Sequence, residues 1–444
     1  MELYKLKVKD FLLVVIIIFI TILYTLYYNV YNISYLTLLA LNTSIVSIGM
    51  FCNSKKGPTI FKLINFFIYI FFILANAIQF GKESNVLTFT YSIETEDYIF
   101  FQFTLLIILI ILFISYTYSY SKEVIPNIKN EKKYICLGRL IWISLLSTFI
   151  VLIYYKFNYY QLFTRGLTQE MLAEAGITIE ANKSVALDLI FSKVIRSIPW
   201  GCFMIGVIKK IKRKYLIILF LLMLITVFPA GLSRNAAAMY WLPVVLVMFG
   251  KYLKNSRFIL FMLIALLIFF PFFDNFRHFN GTIKFKLSLD YLATMNMDAS
   301  QIFMVIMKEN HITWGNQLLG ALFFFIPRSL WPLKPLGSGH YFVTYMNGWF
   351  TNVSMPLFAE GFINFGYIGM ILFTILLGYY SAFIDRKAEY FNISNLKLPI
   401  YYLILGATIY ILRGDLMSSF AYTIGIIISY LTLLCIITYK SKKI

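Results

Sequence analysis

Apolar runs of about 20 residues follow one another along this chain, the length an α-helix needs to cross a bilayer's hydrocarbon core. The first, FLLVVIIIFITILYTLYY, covers 11–28. Lipid offers no partner to a backbone N–H or C=O, so such runs must fold as helices that satisfy their own. The expected class is therefore all-α, a polytopic membrane protein in which residues 1–444 form a single integral membrane domain. Composition agrees: 60% of residues are hydrophobic and 13% charged, where soluble domains carry about 25% charged. The first run lacks a small-residue cleavage site and has further spans close behind it, so it reads as a span and not as a cleavable signal peptide. About twelve spans are expected, roughly 10–29, 33–51, 59–80, 98–120, 134–156, 186–208, 214–230, 236–250, 257–274, 362–384, 398–412 and 418–439.

The net charge of +19 would suggest nucleic acid in a soluble protein. Here it follows the bias of cytoplasmic loops toward Lys and Arg. Lys5, Lys7 and Lys9, Lys55 and Lys56, the 122–133 loop, the KKIKRK run at 209–214, Lys251 to Arg257, Arg386 and Lys387, and the tail Lys440, Lys442 and Lys443 occupy alternate connections. All fall on one side, predicting a cytoplasmic face with both termini on it. Cys52, Cys136, Cys202 and Cys435 are scattered with no CxxC pair, and read as free structural thiols. No repeat period and no echo between halves is present.

The opposite connections carry the polar chemistry. The 81–97 loop has Glu83, Glu94, Glu96 and Asp97 against a single Lys. The longest, 275–361, is a large extracytoplasmic loop that holds the histidines His278, His311 and His340. Within it, TIKFKLSLD (282–290) alternates like an extended or interfacial segment. Asp298 should N-cap a helix running to about Lys308. GNQLLGALFFFI (315–326) is apolar but too short to span, and predicts an interfacial or re-entrant helix ended by Pro327.

Arg234, Arg277, Arg328 and Arg413 stand at outer helix ends or in outer loops, against the topogenic bias. They can pair with acids or snorkel to lipid phosphates, or converge on an anionic ligand whose oxygens match the guanidinium fork. Lys334 follows in the proline-rich turn PRSLWPLKP (327–335). Glu360, in MPLFAEGF, is a carboxylate at the mouth of an apolar helix, expensive unless used. It reads as a partner for an arginine, as a general base, or as a hydrogen-bond acceptor for a sugar hydroxyl. His340, after GSG, is the other candidate base. The histidines have no HxxxH or HxxE spacing, so no metal is expected. Trp331, Tyr341 and Trp349 could stack on sugars, or belong to the interfacial aromatic belt.

Three pieces, GNQLLGALFFFIPRSLWPLKP (315–335), PLFAEGFINFGYIGMILF (356–373) and YILRGDLMSS (410–419), together with GLSRNAA (231–237), give the chain a resemblance to the Wzy-type oligosaccharide repeat-unit polymerases. It covers mainly 231–420; earlier residues match only in hydropathy and span count. The resemblance implies a bacterial cytoplasmic-membrane enzyme with its active site facing outward. Such an enzyme needs no cofactor and transfers a chain from undecaprenyl pyrophosphate to the non-reducing end of an incoming lipid-linked unit. It implies Glu360, His340 and Arg328 as catalytic, and Arg234, Arg277, Arg328, Lys334, Arg413, Asp415 and Trp331 as substrate-binding. The implied partners are undecaprenyl-pyrophosphate-linked oligosaccharides, the bilayer and a chain-length regulator, with no nucleic acid. Two other classes share parts of this pattern. A flippase of lipid-linked oligosaccharide would favour ionisable groups deep in the spans; Asp188, Lys193, Arg196 and Arg139 are the candidates. An O-antigen ligase would share the large outer loop.

Overall fold

The computed structural model describes residues 8–51, 57–122, 133–158, 162–163, 189–254, 256–266, 289–391 and 395–440. They form an all-helical membrane protein with one short ribbon. Its long helices are α1 (Val8–Tyr27), α2 (Ile33–Phe51), α3 (Ile60–Gly81), α4 (Thr95–Ser121), α5 (Leu137–Tyr154) and α6 (Ile190–Ile208). Next come α7 (Arg213–Thr226), α8 (Arg234–Phe249) and α9 (Arg257–Ile264). The segment before the last three long helices supplies α10 (Ala299–Glu309), α11 (Asn316–Leu322) and α12 (Ser338–Tyr345). The chain closes with α13 (Leu357–Glu389), α14 (Leu398–Arg413) and α15 (Leu416–Ile437). Strand β1 (Lys133–Ile135) pairs antiparallel with β2 (Thr438–Lys440). Among the described residues, nine helices are long and apolar enough to cross a membrane, and α8 and α14 are shorter apolar helices.

Burial sorts the helices. The most apolar window of α3 is 89% buried, whereas that of α1 is 22% buried. A helix apolar on every side belongs in the interior, and α3 is wrapped by α2, α4, α13 and α14. Its polar residues make this possible. Asn42 of α2 donates to Gln102 Oε1 at 2.8 Å, Gln102 donates to Asn76 Oδ1 at 2.9 Å, and Tyr35 donates to the same Asn76 oxygen at 2.9 Å. This amide chain joins α2, α3 and α4 where water could not serve. A second apolar cluster joins α5 to α8 with α14 and α15, centred on Trp200, Tyr240 and Tyr430. Trp200 Nε1 donates to Tyr240 O at 2.8 Å.

One end of the bundle gathers several of the cationic connections among the described residues. Asp385 of α13 accepts from Ile60 N (2.8 Å), Phe61 N (3.2 Å), Tyr116 (3.1 Å) and Tyr401 (2.9 Å). Arg386 donates to the carbonyls of Ser119 and Lys122. The starts of α3 and α14 and the ends of α4 and α13 therefore share a face, as their charges predicted. The ribbon likewise brings the start of α5 beside the end of α15.

Several local expectations need correction. The span predicted at 362–384 begins earlier and is broken: Phe365 (φ −144°, ψ 25°) and Gly366 (φ 62°) leave helical geometry, splitting a half-helix at 357–364 from the rest of α13. Gly366 occupies the left-handed region that glycine tolerates. Built onto Gly361, a Cβ would sit 2.6 Å from Gly369 O, so the two limbs touch through glycine. Helix α10 lies where predicted, but Asp298 makes no capping bond there. Helix α11 stops at Leu322 and not at Pro327; Lys334 Nζ instead takes the freed carbonyls of Phe324 (2.6 Å) and Ile326 (3.0 Å). Residues 282–288 lie outside the described set. Cys136, Cys202 and Cys435 are free thiols; Cys52 lies outside the described residues.

Candidate functional site

The end of the bundle opposite Asp385 carries α10 to α12, and two of the predicted arginines bind one short stretch there. Ser233 N-caps α8, accepting from Ala236 N at 3.2 Å, and so presents Arg234 in the first turn. Arg234 donates to Tyr291 and, at 3.2 Å, to Asn296 Oδ1. Two residues along, Asp298 Oδ1 lies 3.4 Å from Arg413 Nη2. Ser354 binds the same carboxylate through its N–H (2.9 Å) and its hydroxyl. A single short stretch, 296–298, thus ties the start of α8 to the end of α14. The Nε of Arg413 is buried with no partner among the described residues. Its guanidinium keeps donor capacity that an anion could use.

Arg234 also heads a cleft of about 410 Å3. Its walls are α8, α9 and α14, with Trp241, Phe261, Met262 and Ile409 supplying apolar surface. Small residues bring α8 and α14 together beneath it: a Cβ on Gly406 would lie 2.6 Å from Ala238 O. Close backbone approach through Gly and Ala is how membrane helices associate.

Glu360 lies on the half-helix of α13 and is 1% exposed. Ser338 Oγ donates to Oε2 at 2.8 Å and Leu416 N to Oε1 at 2.7 Å. These donors open α12 and α15, so two helix N-termini face this carboxyl group. Its helix is locked in place from the other side. Ile363 O accepts from Thr313 N at 2.7 Å, Asn364 O from Gly315 N at 3.0 Å, and Asn364 Oδ1 from Leu318 N at 2.8 Å. The carbonyls freed by the break in α13 are met by the start of α11, the condition under which a broken helix is tolerated at membrane depth.

The turn at 327–335 resolves differently from either expectation for its cations. Arg328 donates to the carbonyls of Lys334 and Pro335, the latter at 2.9 Å. Together with the Lys334 bonds to Phe324 and Ile326, the two cations stitch this turn to itself; neither pairs with Glu360. Burial and the neighbouring Arg328 charge hold the Lys334 ammonium below its ordinary pKa. Trp331 is half-buried and contributes its backbone to the turn. Around it Leu330 is 79% and Leu333 89% exposed, an apolar surface that suits a segment dipping into lipid.

The remaining candidates separate. Asp415 N-caps α15, accepting from Ser418 N at 2.9 Å. His340 is exposed on α12, and the structure does not join its ring to Glu360. His311 has the built environment instead: Nε2 lies 3.1 Å from Tyr341 Oη, and its ring centre 4.2 Å from that of Tyr345. Burial lowers its pKa, against a smaller opposing pull from Glu309. Arg277 and His278 lie outside the described residues. The three described cations predicted within spans each have a partner: Arg196 donates to Thr226 O and to Tyr155, Lys193 lies over the Tyr422 ring, and Arg139 donates to Ile436 O. Asp188 lies outside the described residues. Among the described residues no group of three or more His, Cys, Asp or Glu is gathered as metal ligands would be.

Sequence reasoning missed Asn296, Ser338, Ser354 and Asn364, small polar residues whose value depends on what tertiary packing sets opposite them. The break in α13 did leave a signal, the glycine spacing in GFINFGYIG (361–369). No family model, no curated protein and no solved structure matches this chain.

Proposed function

We propose that this chain polymerises lipid-pyrophosphate-linked oligosaccharides at the outer face of a bacterial cytoplasmic membrane, with about twelve spans and both termini inside. The observation that supports this most is the cleft beneath Arg234: an apolar groove between helices with a guanidinium at its polar end. Its chemistry matches an amphiphile with an anionic head and a hydrocarbon tail. Arg413, tied to the same 296–298 stretch, supplies a second cation with an unspent donor.

In this reading the acceptor hydroxyl oxygen attacks the anomeric carbon of the donor sugar. A glycosidic C–O bond forms, the C–O bond to the pyrophosphate breaks, and the hydroxyl proton passes to a base. The charge that develops is on the leaving pyrophosphate. Fixed guanidinium groups stabilise it most where water is excluded. Of the two candidate bases, His340 is open to solvent and Glu360 is buried with both oxygens engaged, so the reading gives His340 the proton and Glu360 the task of holding α12 and α15 in register. Arg328 and Lys334 preorganise their own turn through its carbonyls.

The test is the banding of surface polysaccharide in a deletion strain complemented with the Arg234→Ala variant. The expected product is a single repeat unit. A full ladder would remove the assignment, and loss of even the single-repeat product would point to a flippase.

A further inference from the structure

We propose that a second, tyrosine-lined cleft at the outer end of α1–α4 is a saccharide-binding site for neutral or amino sugars, separate from the arginine cleft. It rests on the polysaccharide reading above and assigns the 81–97 loop, which that reading leaves unused. The cavity measures about 1050 Å3 and lies between the α1–α2 turn and the α3–α4 loop. Ligand pockets usually run to roughly 300–1,000 Å3, so this one accommodates several sugar rings.

The lining has the chemistry of sugar recognition. Tyr31 and Tyr91 offer ring faces, against which the C–H face of a pyranose packs. Asn29 and Asn85 offer amides, and Glu83 and Glu96 offer carboxylates, which accept from hydroxyl pairs. Glu94 and Asp97 have another task, as the capping box that starts α4. Glu83 has none of that kind: it stands in a turn at φ 49°. No described residue donates a hydrogen bond to the carboxylate of Glu83 or Glu96.

The floor is built before any ligand arrives. Gln301 of α10, fully buried, accepts from Val86 N at 2.9 Å and donates to Ser84 O at 2.8 Å and Tyr98 at 3.2 Å. Asn85 Nδ2 donates to Tyr91 O at 2.8 Å, and Tyr91 donates to Glu309 at 2.7 Å. Preorganised polar groups lose little on binding.

Charge separates this cleft from the first. Its lining holds Glu83, Glu94 and Glu96 and no Lys or Arg. At the edge, Lys308 is committed to Asp97 at 2.7 Å and lies 3.8 Å from Glu94, while Lys82 sits over the Tyr28 ring. The net negative charge here repels a phosphate or a uronic acid, but not a neutral sugar, and it attracts an amino sugar.

The experiment uses the full-length protein in nanodiscs. The probe is lipid-free oligosaccharide cut from the source bacterium's own surface polysaccharide, with trigalacturonate as the anionic control. Saturation-transfer NMR should show contact with the neutral or amino-sugar fragments and none with trigalacturonate. The triple variant Glu83→Gln, Glu96→Gln, Tyr31→Ala should weaken binding by about tenfold or more, as expected on losing one or more hydrogen bonds to charged groups. All these side chains are exposed, so the thermal midpoint should hold. In cells the same variant should shorten the polysaccharide chains while still joining units. The proposal is overturned if the wild type fails to bind, if trigalacturonate binds equally, or if the triple variant binds like the wild type. A full ladder from Arg234→Ala would remove the polymerase reading and leave this titration intact.

Discussion

Ser338 Oγ donates to Glu360 Oε2 at 2.8 Å inside a site where the carboxylate is 1% exposed. With Leu416 N on the other oxygen at 2.7 Å, Glu360 joins the half-helix of α13 to the first turns of α12 and α15. A carboxyl group removed from water needs compensation of this kind. Here it comes from two helix N-termini and a hydroxyl, with no cation from the described residues. Glu360 is thus a hub that joins three helix starts.

Glu360→Ala should therefore cost stability. It leaves Leu416 N–H buried without an acceptor, worth about 1–3 kcal/mol, and opens a cavity besides. Glu360→Gln keeps an acceptor for one donor and should fall between. Thermal midpoints in detergent read this directly. If Glu360 only positions, Glu360→Gln should retain part of the polymer ladder. If it is the base, that variant should melt near the wild-type temperature and make no ladder.

Asp385→Ala should be the more damaging change. Two backbone N–H groups and two tyrosine hydroxyls converge on this one buried carboxylate. Each buried donor left unmade costs about 1–3 kcal/mol, so a loss of several kcal/mol is expected, seen as failure to accumulate in the membrane. Asp385→Asn should rescue in part. Wild-type levels of Asp385→Ala would show that the four donors find other partners.

The two carboxylates show what could be read from the chain. Helix class and most helix positions follow from hydropathy, because lipid imposes one strong constraint per segment. The contacts that build the site do not. Asp298 sits at a helix start where capping is the local expectation, yet Ser354 and Arg413, distant in sequence, take its oxygens. Arg328 looks like an exposed anion binder until the carbonyls of Lys334 and Pro335 are folded under it. Tertiary pairing overrides the local cue in both cases, and no periodicity encodes it.

Gly406→Val should separate function from insertion. Its Cβ would meet Ala238 O at 2.6 Å, so α8 and α14 must part where they wall the apolar cleft. The span stays apolar, and membrane levels should hold within about twofold, since such substitutions leave the insertion energy favourable. Polymer length should fall sharply. An unchanged ladder would show that the cleft does not depend on this crossing.

The His311 ring gives a pH dependence whose sign follows from burial. Its pKa is lowered on folding, so the unfolded chain takes up a proton first as pH falls. The stability it contributes is present above about pH 6.5, the ordinary imidazole value, and is lost as pH drops below that. Melting between about pH 7.5 and 5.5 should show a decline in the wild type that is shallower in His311→Gln. The ring is half-buried, so the difference is small, but its direction is fixed; a steeper decline in the variant would contradict it.

Arg328→Ala and Arg234→Ala should fail in different ways. Arg328 holds carbonyls of its own turn, so its loss should raise hydrogen exchange in 323–336 and shorten the polymer without ending it. Arg328→Lys should recover little, because one ammonium cannot match the two-pronged geometry. Arg234 heads the cleft, so its loss should leave exchange in that turn unchanged and stop chains at one repeat. If both variants gave the same exchange pattern and the same ladder, the division between a turn-forming arginine and a ligand-facing one would not stand.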